Sequence, residues 1–221
     1  MVKDRYIELL LRSGALRFGE FKTKSGRLSP YFFNTGYFDS GVALGGVADL
    51  YAEVIAERFG SQVENLFGPA YKGIPLAVMT AFQLSRRLGR DISYTFNRKE
   101  AKDHGEGGVL VGRSYKGGEK VVLIEDVITG GTSFRDMRPL LESFKVDVVG
   151  LVVGVDRQER GSGQRSALVE AAEIWGVPTA SLVTVTEVVQ RLHGREVLGR
   201  VWIDDAIKGR IDDYLATYAG H

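Results

Sequence analysis

Two adjacent acids followed at once by small and hydroxyl residues form the most chemically suggestive stretch of the chain, VVLIEDVITGGTS at residues 121–133. Glu125 and Asp126 stand at the end of an apolar strand, where ionised carboxylates accept hydrogen bonds from a diol. Thr129, Gly130, Gly131, Thr132 and Ser133 make a turn whose backbone N–H groups converge at the start of a helix, the positive end of its dipole. That is a phosphate cradle with hydroxyls as extra donors. Two carboxylates repel a phosphate unless they address another part of the same ligand. A sugar phosphate removes the conflict, with its diol on the acids and its phosphate in the cradle. The stretch is neither a P-loop, which needs G-x-x-x-x-G-K-[ST], nor a dinucleotide fingerprint, which needs G-x-G-x-x-G. The plain structural alternative is a strand end with solvated acids and an ordinary helix cap.

The elements that must position this stretch follow from hydrophobic periodicity. Ile7, Leu10 and Leu11, then Leu50, Tyr51, Val54 and Ile55, recur at helical spacing and predict two amphipathic helices. Between them, aromatics and Pro30 predict short extended segments joined by a loop at 24–27. Further on the pattern predicts strand 65–70, helix 74–88, strands 91–97 and 120–126, helix 134–144, strand 146–156, helix 164–175 and strand 179–185. Runs 121–124 and 148–155 are continuously apolar, as strands covered on both faces are. The predicted fold is therefore α/β, a mainly parallel central sheet flanked by helices. Ligands of such sheets sit beyond the carboxyl ends of the strands, which is where the acids lie. Residues 97–120, charged and Gly-rich, predict a long loop, and Ile203, Ile207, Ile211 and Leu215 predict one more helix on the outside. A single domain is expected, with an N-terminal region at about 1–60, a core at about 61–190 and a helical extension at 191–221.

Composition removes several classes. With 29 basic and 28 acidic residues, the bulk charge does not indicate a nucleic-acid binder. Arg195, Arg200, Lys208 and Arg210 alternate with Glu196, Asp204, Asp205, Asp212 and Asp213, which reads as a solvated face. The absence of cysteine excludes a disulfide framework, a thiolate metal site and a Cys nucleophile. His104, His193 and His221 have no metal-ligand spacing. The first residues lack a signal-peptide pattern and the apolar runs are too short to span a bilayer, so a cytoplasmic protein with no membrane or nucleic-acid partner is expected.

The strand, acid pair and turn resemble the phosphoribosyl-diphosphate motif of type I phosphoribosyltransferases. This chain has Glu-Asp where Asp-Asp is also common, and Gly131 where Ala is frequent; neither change removes a carboxylate or a turn amide. Four further stretches, FKTKSGRLSPYFFNTG at 21–36, FGPAYKGIPLA at 67–77, FNRKEAKDHGEGG at 96–108 and VDRQERG at 155–161, resemble in the same order the branch of that family that acts on orotate. The resemblance implies the type I phosphoribosyltransferase fold with a small hood from the N-terminal region. It implies transfer of the 5-phosphoribosyl group from phosphoribosyl diphosphate to orotate, with Mg²⁺, in de novo UMP synthesis. It also implies a homodimer in which the loop 98–117 is shared across the interface.

Residue by residue, the resemblance implies donor contacts from Lys24, Tyr71, Lys72, Arg98, Lys99, Lys102 and His104. Further donor contacts come from Glu125, Asp126, Val127, Ile128, Thr129, Gly130, Gly131, Thr132 and Ser133. Lys102, His104 and Asp126 are the expected catalytic groups, since cations near a departing pyrophosphate stabilise the charge that develops. Lys24, Phe32, Phe33, Thr129 and Arg157 are expected at orotate, with Arg157 on its carboxylate by a two-pronged bond and one phenylalanine on the ring. No dedicated protein ligands for Mg²⁺ are expected, and Glu125 and Asp126 would meet it through water. Two alternatives stay open: a relative using a purine or uracil, and a regulatory module that binds the sugar phosphate without catalysis.

Overall fold

The computed structural model describes residues 1–23, 26–102 and 108–220. Helix α1 (Val2–Arg12) buries Tyr6, Ile7, Leu10 and Leu11, the face its spacing predicts. Strands β1 (Leu16–Lys22) and β2 (Leu28–Phe33) form an antiparallel hairpin with Leu16 opposite Phe33. Helix α2 (Gly41–Phe59) starts where the Ser40 hydroxyl accepts from Ala43 N at 3.1 Å. There follow β3 (Asn65–Phe67), α3 (Gly73–Leu88), β4 (Ser93–Lys102), β5 (Gly108–Gly112), β6 (Lys120–Ile128), α4 (Thr132–Ser143), β7 (Asp147–Asp156), α5 (Ala167–Trp175) and β8 (Thr179–Thr184). The last elements are α6 (Val185–Leu192), the short pair β9 (Glu196–Val197) and β10 (Arg200–Val201), and α7 (Asp205–Tyr218).

The main sheet runs β5-β4-β3-β6-β7-β8, with every neighbouring pair parallel except β4 and β5. Side chains alternate across each strand, so β6 sends Val122 and Ile124 to one core and Val121 and Leu123 to the other. The first core also takes α1, α2, α3, α6 and α7; the second takes α4 and α5. Two covered faces are the reason the central strands read as unbroken apolar runs.

Three expectations change. Residues 97–120 are not one long loop: β4 continues through the charged residues to Lys102 and β5 pairs with it as an antiparallel edge, Phe96 opposite Val111. The charged part of β4 outruns β3, whose pairing with it ends at Phe67 opposite Thr95, so it escapes the burial that excludes charges from a central strand. The strand expected at 179–185 stops at Thr184, which caps α6, a helix not expected. Thr184 and Glu187 form a reciprocal capping box there, a T-x-x-E signal present in the sequence. The helix expected from 164 begins at Ala167, behind Ser166 as its cap.

One glycine ties the core to the acids. An added Cβ on Gly154 of β7 would sit 2.2 Å from the Tyr6 hydroxyl, 2.5 Å from that of Tyr51 and 2.7 Å from the Asp126 carbonyl oxygen. Tyr51 uses the space to donate to the Glu125 carbonyl at 2.8 Å, fixing the backbone between the two acids. Gly154→Ala should therefore lower unfolding free energy by about 1–3 kcal/mol through overpacking. Gly209→Ala, on exposed helix α7 with nothing within 4 Å of the added Cβ, should raise it by about 0.5–1 kcal/mol. Urea unfolding of both variants checks the pair, and a neutral Gly154→Ala would mean the two tyrosines can retreat.

Candidate functional site

The acids lie in the last residues of β6, three and two places before its end at Ile128; alternation starts their side chains toward opposite faces, while the two carboxyls stay within interaction range. Glu125, 8% exposed, faces a cavity of about 220 Å³ that it lines with residues 127–134. Asp126 has other partners besides. Its Oδ2 accepts from the Thr35 hydroxyl and lies 3.4 Å from Lys72 Nζ, which also donates to Asn34 Oδ1 at 3.3 Å. The two carboxylates thus have different neighbours, one toward the turn and one toward the N-terminal hairpin.

The turn has the features of an open anion site. Gly131 precedes α4 with a left-handed φ of 69°, which glycine adopts without steric cost. Among the described residues no side chain caps the helix, and no acid occupies its first turn, so its first N–H groups have no side-chain acceptor there. Thr129, Thr132 and Ser133 are exposed beside them, while Val127 and Ile128 line the same cavity. Arg135 Nη2 donates to the Gly130 carbonyl at 2.8 Å and holds the turn from behind.

Cations gather where β4 leaves the sheet. Ala70 N donates to Asn97 Oδ1 at 2.9 Å, tying the loop of Tyr71 and Lys72 to β4. Lys99 Nζ stands 4.7 Å from the centre of the exposed Tyr71 ring. Arg98 Nε is buried with no hydrogen-bond partner among the described residues, an expensive state that an arriving anion would relieve. Lys24 and His104 lie outside the described residues, and Lys102 is described by its backbone alone, opposite Gly108. No group of three His, Cys, Asp or Glu side chains that could hold a metal occurs among the described residues.

On the third side, Arg157 follows β7 and is only 6% exposed. Its Nε donates to Glu159 Oε1 at 2.8 Å and its Nη2 to the same oxygen at 2.5 Å. The guanidinium lies over the Tyr31 ring at 4.9 Å, with Ser29 Oγ 3.4 Å from Nη2. Burial opposes its charge, but Glu159 and Tyr31 outweigh burial and raise its pKa. Phe33 joins the core edge-on to Tyr31, whereas Phe32 is 39% exposed and stacks on Phe21 at 5.3 Å. Sequence reasoning did not single out Thr35, Asn34, Arg135 or Glu159. The first two lie inside the quoted 21–36 stretch; only the folded chain shows which of its polar residues reach Asp126 and Lys72.

A parallel sheet with acids at a strand end, an uncapped helix start after them and cations across from both defines a phosphoribosyltransferase-domain protein. The family model described as phosphoribosyl transferase domain matches residues 37–180. The orotate phosphoribosyltransferase of Lachnoclostridium phytofermentans is 49% identical over 217 residues, covering 98% of this chain and 96% of the relative. That of Clostridium beijerinckii is 46% identical, covering 98% and 97% respectively. The crystal structure of the Francisella tularensis enzyme of the same name matches with a TM-score of 0.80 at 34% identity, covering 97% of this chain and 99% of that one. The chain belongs to the orotate phosphoribosyltransferase family.

Burial first, and the Asp126 charge second, push the Glu125 carboxyl from an ordinary 4.5 up to about 8; the Ser133 hydroxyl works the other way. Between those values the folded protein keeps a proton that the unfolded chain has released. Stability of the free protein should therefore fall as pH rises from 4.5 to about 8, and that contribution should level off above. Thermal melts across this window should show a slope that Glu125→Gln flattens, and an equal slope in both proteins would place the titration elsewhere.

Proposed function

We propose that this protein transfers the 5-phosphoribosyl group from phosphoribosyl diphosphate to orotate, giving orotidine 5′-monophosphate and pyrophosphate in de novo UMP synthesis. The C1′–O bond to pyrophosphate breaks, a ring nitrogen of orotate bonds C1′, and that nitrogen loses its proton. The main support is the convergence of the Glu125–Asp126 pair, the uncapped start of α4 and the Arg157 cluster at the carboxyl end of one sheet. The 5′-phosphate takes the N–H groups and hydroxyls of Thr129–Ser133, and the ribose diol meets the acids. The acceptor pocket carries a net charge: two guanidinium groups, Arg157 and Arg27, share the single carboxylate of Glu159. One positive charge is left for a ring that bears a carboxylate, which a neutral base would not satisfy.

Lys72, Arg98, Lys99, Lys102 and His104 meet the departing pyrophosphate, where preorganised charge acts on the transition state more than on the ground state. Mg²⁺ fits a pair of carboxylates of which one is otherwise driven to hold a proton; Glu125 and Asp126 would hold the ion through water, and it would supply charge for the leaving group. Residues 1–60 act as the hood, 61–190 as the core and 191–221 as the extension of one domain. The chain works in the cytoplasm as a homodimer, with segment 98–117 completing the partner's site.

Orotate consumption followed by absorbance with phosphoribosyl diphosphate and Mg²⁺ should show turnover, and uracil, hypoxanthine and adenine should show none. Turnover of another base would keep the donor site and discard the orotate assignment, while donor binding without any turnover would point to a regulator. Lys102→Ala should lower kcat by about a hundredfold or more while changing the donor KM by less than about threefold. Comparable losses in both would remove Lys102 from the chemical step.

A further inference from the structure

The C-terminal helix packs directly against the segment that carries Arg157. Tyr214 of α7 donates its hydroxyl to Glu159 Oε1 at 3.0 Å, the same oxygen that receives Nε and Nη2 of Arg157. From the other side Arg27, in the turn of the N-terminal hairpin, donates to Glu159 Oε2 at 3.2 Å and lies 4.8 Å from the Tyr218 ring. The end of α7 is stitched to the same loop: Arg160 N donates to the Tyr218 carbonyl at 2.9 Å, and Gly220 N to the Gln158 carbonyl at 2.9 Å. Glu159 itself is 1% exposed.

This geometry decides which edge of the guanidinium is offered. Nε and Nη2 form the side-on fork, and Glu159 occupies it. On the end-on edge between the two Nη groups, Nη2 meets Ser29 Oγ at 3.4 Å. A planar five-donor group with one edge locked presents the other in a fixed direction. We infer that Glu159 is a positioning residue that aims the end-on edge of Arg157 at the acceptor's carboxylate, and that Tyr214 makes helix α7 part of the acceptor site. The inference rests on the assignment of Arg157 to the orotate carboxylate.

Three variants separate the two ideas. Arg157→Lys tests the assignment: KM for orotate should rise about tenfold or more, with the donor KM little changed. Tyr214→Phe removes one hydroxyl and keeps the ring contacts with Tyr31 and Tyr218 at 5.6 and 4.8 Å. It should raise KM for orotate about threefold to tenfold, the size of one lost hydrogen bond, and move kcat and the donor KM less than about twofold. Glu159→Gln, the harsher change, should do the same more strongly if it folds. Combined with Arg157→Lys, Tyr214→Phe should add almost nothing, since residues acting through one another are not additive. If Arg157→Lys weakens orotate while Tyr214→Phe leaves its KM unchanged, the positioning role is wrong and the assignment stands. If Tyr214→Phe raises both KM values and lowers kcat by similar factors, together with the melting temperature, α7 is a structural prop only. If Arg157→Lys leaves orotate unaffected, the assignment itself fails and the positioning role falls with it.

Discussion

The site depends on placing two adjacent carboxylates at the end of a buried central strand. Charged groups lose solvation on burial and like charges repel, so both acids cannot remain ionised without help. The chain divides the problem by face. Asp126 is given Lys72 and the Thr35 hydroxyl, and so has the partners an ionised acid needs. Glu125 is given an apolar strand, the turn and little else, and its carboxyl is driven up to about 8. Glu125 is therefore the costly member of the pair in the free protein, and the buried Nε of Arg98 has no hydrogen-bond partner among the described residues. In the proposed reading, a donor that brings hydroxyls to the acids, phosphate to the N–H groups of α4 and pyrophosphate to the cations would satisfy these groups together. Costly polar groups of this kind are held in place by the surrounding core.

That core is built accordingly. β6 and β7 share the longest register of the sheet, from Lys120 opposite Asp147 to Ile128 opposite Asp156. The acids on β6 and the Arg157 loop after β7 thus leave the sheet side by side. Gly154 lets Tyr51 reach the backbone between the acids, so an α2 side chain fixes the strand end that packing alone would leave free to shift.

Much of this was legible in the sequence where the signal is local. Unbroken apolar runs gave away β6 and β7 because both faces are covered. The acid pair and small-residue turn are contiguous, so their chemistry can be read without a fold. The charged extension of β4 was hidden because strand pairing at an edge is decided by the partner strand and not by composition. Helix α6 was hidden for a different reason: its cap, Thr184, is also the last residue of a strand, and one apolar stretch served both elements. The partners of Glu159 could not be read at all. It lies two residues from Arg157, but its other contacts, Arg27 and Tyr214, are 132 and 55 positions away in the chain.

The Arg157–Glu159 pair also bears on why a tail beyond the matched domain is packed so closely. A buried ion pair returns little net stability compared with apolar side chains of similar volume, because desolvation consumes most of the attraction. Removing one partner, however, leaves an uncompensated charge, so the pair persists only where its surroundings complete it. Here they do: Tyr214 and Arg27 supply the remaining donors to Glu159, and the Tyr31 ring lies beneath the guanidinium. What such a cluster supplies better than apolar packing is direction, since each hydrogen bond has a preferred line and the guanidinium is rigid. Helix α7 and the N-terminal hairpin, from opposite ends of the sequence, thus converge on one carboxylate, and that carboxylate sets the orientation of the buried cation that would face the acceptor.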